Sequence, residues 1–354
     1  MNTAQKAHSG LSLCMIVRDE EFSLENTLLT ARPHVDEMII VDTGSTDQTL
    51  SIAKKYADRL EHFKWIDDFS AARNYSLSFA TEPWILVLDA DEIIAPDDYA
   101  KLKEASRSDR YDGFYLTQRR YLGRSEGNSA TWKPADPEDP YSKHYQGYHD
   151  NPIVRLFRND ASIKYSGAIH ELIDPSISAE RTGMSDVLIH HYHENPDNDS
   201  EQHVLRNLAI QERLIAKNEA TQRDYLSAAA AHLRTTKKPA IAEQYLNKVL
   251  QIGEDETLEA VALETLAEIY YRDGRLDDAT KLYRQLYESK TGSAAVLNNL
   301  SNLLIKAGDL ESGAYLLQEL LERGIEDPAR KERVTANLQA ILHAIDRTEK
   351  NPEM

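Results

Sequence analysis

Three short runs, LSLCMIV (residues 11–17), EMIIV (37–41) and WILVL (84–88), constrain this fold most strongly. Each is almost continuously apolar rather than alternating, so each reads as a strand buried on both faces. The segments between them read as helices. Strand, helix and strand in that order, with doubly buried strands, predict an α/β domain built on a mostly parallel, doubly wound, Rossmann-like sheet. In such a sheet, ligands bind beyond the carboxyl ends of the strands, where strand order reverses.

The strand ends are acidic. The first runs into Arg18, Asp19, Glu20 and Glu21, the second into VDTGSTD with Asp42 and Asp47, and the third into Asp89, Asp91 and Glu92. Parallel strands would put all of these acids along one edge. Carboxylates that close raise each other's pKa, and a divalent cation removes the cost. Oxygen ligands one residue apart suit Mg²⁺ or Mn²⁺, which take few protein ligands and accept diphosphate oxygens as others. A calcium EF-hand is excluded, because its glycine and its later glutamate are missing.

Charge narrows the partners. Lys and Arg number 41 against 59 Asp and Glu, a formal net charge of −18. Such a surface disfavours nucleic acid and anionic lipid, and no basic stripe with interleaved aromatics offsets it. No stretch reaches the roughly 18 apolar residues of a membrane span, and no signal peptide is apparent, so a cytoplasmic protein is expected. The single cysteine, Cys14, lies inside an apolar run and reads as a core residue rather than a reactive thiol.

From residue 120 to 152 the chain is rich in Gly, Pro, Ser, Asp and Tyr and reads as a long loop. Beyond about residue 200 the pattern is wholly helical. LAEIYYRDGRLDDATKLYRQL and LSNLLIKAGDLESGAYLLQEL superimpose with Gly274 on Gly308, Leu276 on Leu310 and Ala279 on Gly313, a spacing of 34 residues. A weaker copy before them places Ala242 at the small-residue position. This period resembles tetratricopeptide (TPR) repeats, which stack because one helical pair cannot bury its own faces. The expected division is a catalytic domain over residues 1–200 and a TPR-like domain over 201–354.

LSLCMIVRDEE, MIIVDTGSTDQT, DFSAARNYSLSFATEPWILVLDADE and YSGAIHELI, in this order, resemble the successive motifs of family 2 inverting glycosyltransferases of the GT-A fold. More narrowly, they resemble the bacterial branch that carries TPR repeats after the catalytic domain. The resemblance implies transfer of a sugar from a nucleoside-diphosphate donor, with UDP-hexose or UDP-N-acetylhexosamine expected. It makes DAD the Asp-x-Asp motif, with Asp91 the metal ligand and Asp89 on the metal or the donor ribose. It also assigns Glu20 or Glu21, together with Asp42, to the nucleoside, and the turn through Asp47 to the same pocket.

Arg73 and Asn74 are candidate donor contacts, Arg73 alternatively holding Asp89 in place. The resemblance sets the acceptor's base after the metal motif, at Glu171 in GAIHE, with His170 its competitor. HELID opens like a zinc-protease helix, but Asp174 stands where the second histidine belongs, and YSGAI before it reads as a strand. In VLIHHYHENPDND, His191 aligns with a histidine that completes the metal's coordination, and His193 replaces the family's glycine. Neither His190 nor His203 adds a clean zinc spacing.

Arg155 and Arg158 could steady a diphosphate or acceptor, or pair with acids. Trp132, Tyr141, Tyr145 and Tyr148 could stack on sugars or pin the loop. A sugar nucleotidylyltransferase is disfavoured by RDEE where a glycine-rich basic loop belongs, and an inactive TPR scaffold by the intact DAD and GAIHE. The acceptor is expected to be a polypeptide side chain, Ser, Thr or Cys, gripped by the repeats. A surface polysaccharide or lipopolysaccharide sugar is the alternative, and the repeats could also support a homodimer.

Overall fold

The structure, a computed structural model, describes residues 10–123, 132–192, 201–325 and 328–350. The chain forms two compact units that divide between His203 and Val204. In the first, the order is β1 (Leu11–Val17), α1 (Leu24–Ala31), β2 (Glu37–Asp42), α2 (Thr49–Tyr56), β3 (Arg59–His62), α3 (Phe69–Leu77), β4 (Trp84–Val87), β5 (Glu92–Ile94), α4 (Asp98–Ala105), β6 (Gly113–Leu122), β7 (Trp132–Pro134), β8 (Gly147–Arg158) and β9 (Thr182–His191). The described strands make one sheet in the order β3-β2-β1-β4-β8-β6-β9-β5, with β7 paired to β8.

The first four strands are parallel, as the apolar runs predict for β1, β2 and β4, with Val17 opposite Asp42 and Cys14 opposite Val87. Their continuous apolarity has a simple use. Leu13, Met15, Val17, Met38, Ile40 and Leu86 face one core with α1. Cys14, Ile39, Val41, Ile85 and Val87 face the other, with residues 163–177. Buried on all sides, the Cys14 thiol is pushed well above its ordinary pKa and is inert core.

The other half of the sheet is mixed. β8 runs antiparallel to both β4 and β6, and β9 runs parallel to β6. Two expectations are corrected here. The stretch from 120 to 152 is not one loop, because it contains β7 and the first half of β8; the glycines and prolines masked a strand whose tyrosines suit a half-buried pleat. YSGAI is not a strand. Ser166 bridges Leu172, with Gly167 at φ +97° and His170 at φ +54°, so the chain doubles back and brings Glu171 inward.

The second unit is helical. After α5 (Glu201–Lys217) come three pairs: α6 (Gln222–Ala231) with α7 (Pro239–Ile252), α8 (Glu256–Arg272) with α9 (Leu276–Glu288), and α10 (Ala294–Lys306) with α11 (Leu310–Arg323). A long α12 (Pro328–Lys350) follows them. Gly274 and Gly308 sit at matching turns with φ of +75° and +89°, a conformation that costs other residues energy. Ala242 and Ala279 are fully buried at the helix crossings. At Gly313 a Cβ would stand 2.5 Å from Ile305, so glycine permits the closest approach. Among the described residues, no helix is long and apolar enough to cross a membrane.

Candidate active site

The loops after β1 and β2 are stitched together by their own acids. The Asp19 carboxylate accepts from the Thr46 backbone at 2.7 Å, Glu21 from the Gln48 backbone at 3.0 Å, and Asp47 from the backbones of Glu21 and Thr49 at 3.0 and 2.9 Å. Asp42 is buried at the end of β2 and takes the N–H groups of Gly44 and Ser45, each at 3.0 Å, with His62 Nδ1 at 3.1 Å. Glu21, Asp42 and Asp47, expected as nucleoside contacts, therefore shape these loops.

Glu20 is different. Burial pushes its carboxyl up to about 7, with Asp91, Asp89 and Asp47 adding to the rise and the Ser23 hydroxyl opposing it. A cation arriving nearby would favour its ionised form.

The turn from β4 to β5 carries the densest charge. Glu92 is fully buried; its carboxylate accepts from the Asp89 N–H at 2.8 Å and from Gln118 and Arg155. Thr27 on α1 donates to the Ala90 carbonyl at 2.7 Å, and the Tyr192 N–H to the Asp91 carbonyl at 3.0 Å. Together these bonds hold the turn from three sides.

Asp89 lies between two guanidiniums. Arg73 Nη2 reaches Oδ1 at 2.8 Å and Arg155 Nη2 reaches Oδ2 at 2.6 Å. Burial works against its charge, but Arg155 and Arg73 outweigh that and hold the carboxyl well below the usual range. Asp89, expected on the metal or the donor ribose, has each of its carboxylate oxygens engaged by an arginine. Arg73 goes on to donate from Nε to Glu171 at 2.7 Å, so an unbroken chain runs Glu171, Arg73, Asp89, Arg155, Glu92. Helix α3 aims Arg73 because Asp68 caps its first turn, accepting from the Ala71 N–H at 2.9 Å.

Asp91 stands apart from that chain. Its Oδ2 lies 3.1 Å from His191 Nε2 across the β5–β9 pairing, where Glu92 is opposite His191. Burial lowers the imidazole's affinity for a proton, but Asp91 more than offsets it, so the His191 pKa is raised. Among the described residues no group of three His, Cys, Asp or Glu side chains gathers as a metal cage. A carboxylate and an imidazole that converge do fit a hard divalent cation that keeps water or diphosphate oxygens as its remaining ligands.

Several other candidates have structural tasks. Asn74, a candidate donor contact, clasps the Tyr165 backbone with both ends of its amide, at 2.9 and 2.8 Å. Arg158 pairs with Asp112 and covers Trp84, at the opposite end of β4 from the site. Trp132 packs over Gly147. Tyr141, Tyr145 and Tyr148 pack with Ile93, Tyr121 and Tyr192, which is the loop-pinning alternative. His203 belongs to α5, and His193 lies outside the described residues. The sequence reading gave no role to Gln118 or Thr27, single polar residues with no motif around them.

His190 is buried within those rings, and burial pushes its pKa down to about 4. An unfolded histidine titrates near 6.5, so the unfolded chain binds the extra proton between pH 6.5 and 4. Stability should therefore fall as pH drops through that window, by up to about 3 kcal/mol from this group. Denaturant unfolding of wild type and His190→Gln at pH 7 and pH 4.5 checks this: the wild type should lose more, and equal losses would contradict it.

The sequence profile of glycosyl transferase family 2 matches residues 12–166. A TPR repeat-containing protein of Synechococcus elongatus is 39% identical over 173 residues, which is 49% of this chain and 38% of that protein. The SPbeta prophage-derived glycosyltransferase SunS of Bacillus subtilis is 24% identical over 205 residues, 57% of this chain and 44% of SunS. The chain thus spans less than half the length of either relative. Among solved structures, S. aureus TarS 1–349 in complex with UDP-GlcNAc aligns with a TM-score of 0.35 at 16% identity, over 89% of this chain and 92% of that one. Glucosyl-3-phosphoglycerate synthase from Mycobacterium tuberculosis, in complex with Mn²⁺, UDP and glucosyl-3-phosphoglycerate, aligns at 0.41 and 14%, over 59% and 80%. The match to glycosyl transferase family 2 lies wholly within the first compact unit.

Proposed function

We propose that this chain is a metal-dependent inverting glycosyltransferase of the cytoplasm, moving a hexose or N-acetylhexosamine from a UDP-sugar to a Ser, Thr or Cys side chain of a polypeptide. The observation that carries the reading is the division of labour in the DAD turn. Asp89 and Glu92 are neutralised by Arg73 and Arg155, while Asp91 faces His191. Two arginines spent on fixing the turn leave one acid for an ion.

Asp91 and His191 would hold Mn²⁺ or Mg²⁺. When bound, the ion neutralises charge that develops on the diphosphate leaving group. Glu20 lies along the same edge, where a carboxyl near neutral pKa can meet the donor's ribose or base as acceptor or, protonated, as donor. Glu171, held by Arg73 through one oxygen, takes the acceptor's proton as the acceptor attacks the anomeric carbon from the face opposite the diphosphate. Arg73 orients Glu171 and ties it to the turn that carries Asp91. The helical repeats supply the acceptor surface, because stacked helical pairs present extended faces suited to a chain in extended form.

The test is nucleotide release from a panel of nucleotide sugars, with Mn²⁺ and with chelator. Slow hydrolysis of one UDP-sugar is expected with Mn²⁺ and is lost on chelation. No release from any donor, with no calorimetric binding, would remove the enzyme reading and leave the scaffold one.

A further inference from the structure

The rings of the 135–146 segment take no part in the chemistry above, yet they end directly behind it. Successive side chains of a strand point to opposite faces. His191 turns toward Asp91, and His190 and Tyr192 on either side of it enter a stack of rings. Tyr141 lies over His190 at 4.0 Å between centroids, nearly parallel. Tyr121 lies behind, parallel to His190 at 5.8 Å and to Tyr192 at 5.2 Å.

Hydrogen bonds close the stack. The Tyr121 hydroxyl meets His190 Nδ1 at 2.6 Å, and the Tyr192 hydroxyl donates to the Tyr141 carbonyl at 3.2 Å. The segment itself is internally bonded: Asp139 accepts from the Tyr141 N–H at 3.0 Å, and the Ser142 hydroxyl donates to the Asp136 carbonyl at 2.8 Å. His191 can swing away from Asp91 by a backbone rotation only if two neighbouring rings leave this stack.

We propose that Tyr141 and Tyr121 are positioning residues for the cation, acting through His190 and Tyr192 to hold His191 opposite Asp91. This rests on the reading of Asp91 and His191 as its ligands. A site with two protein ligands gains most from having them ordered before the ion arrives, since ordering them on binding costs affinity. The 135–146 segment is then a clasp behind the metal pair, and its tyrosines act on the ion without touching a sugar.

The experiment is Mn²⁺ binding to the full chain, read from the EPR signal of free Mn²⁺, well below the melting temperature. Tyr141→Ala should weaken binding about tenfold, while Tyr141→Phe, which keeps the ring, should stay within about twofold of wild type. Tyr121→Phe should weaken binding several-fold through loss of the His190 contact. Tyr148→Ala removes a ring that meets Tyr121 edge-on, outside the parallel stack on His190, and should bind as wild type. Wild-type affinity in Tyr141→Ala, or an equal loss in Tyr148→Ala, would overturn the clasp. Wild-type affinity in Asp91→Asn would instead overturn the cation site itself.

Discussion

Replacing Arg155 with leucine is expected to destabilise the N-terminal unit by about 3–5 kcal/mol, the usual loss when one partner of a buried ion pair is removed. Arg155 is 4% exposed and is shared by Asp89 and by Glu92, which is not exposed at all. Without it, among the described residues Glu92 keeps Gln118 and the Asp89 N–H, and the Asp89 carboxylate keeps Arg73. A buried carboxylate so reduced must find a proton or disrupt its surroundings. The melting temperature of that unit should fall by roughly 10 °C. Adding Glu92→Leu to Arg155→Leu should recover part of the loss, because the stranded charge is gone. A loss below about 1 kcal/mol for Arg155→Leu would mean that water already screens this cluster.

Glu171→Gln is expected to cut sugar transfer by about 10²- to 10⁴-fold, the range associated with loss of a general base. Glutamine keeps the shape, and its carbonyl can still accept from Arg73 Nε, so donor and Mn²⁺ binding and melting temperature should stay near wild type. His170→Asn is the matched comparison. His170 is exposed with φ +54°, a conformation asparagine tolerates, so this variant tests the competing base without straining the loop. Transfer within about tenfold of wild type in His170→Asn, beside the large loss in Glu171→Gln, assigns the base. The reverse pattern would give the role to His170.

β1, β2 and β4 were legible because they are buried on both faces, and burial on both faces leaves a continuous apolar run; the edge strand β3, RLEH, is only partly covered and leaves none. The repeats were legible for a similar reason: Gly274 and Gly308 mark the same left-handed turn, and Ala279 and Gly313 the same close crossing. The antiparallel strands were less so. β8 begins among Gly147, Tyr148 and His149, where composition suggests a loop, and is only partly covered there.

In the site, residue type alone announced a cluster of acids. It could not say how they divide, because an Asp that meets two arginines and one that meets a histidine look alike in DAD. The partners come from far along the chain: Arg155 lies 66 residues from Asp89, and His191 lies 100 from Asp91. Arg73 stood next to a plausible motif, and one of its two readings, holding Asp89, matches the geometry. Its second bond, to Glu171 98 residues away, had no sign in the sequence. The tyrosines drew notice as sugar platforms, but a ring that stacks on a sugar and one that stacks on His190 leave the same trace.

The most direct test of a cation held by Asp91 for a nucleoside diphosphate is a calorimetric titration of UDP into wild type and Asp91→Asn, each with Mn²⁺ and with EDTA. The wild type should bind UDP at least about tenfold more tightly with Mn²⁺ than without it. Asp91→Asn should bind equally in both conditions at an unchanged or slightly higher melting temperature, since one member of a like-charged group has been neutralised. Equal Mn²⁺ enhancement in the two proteins, or none in the wild type, would contradict the account.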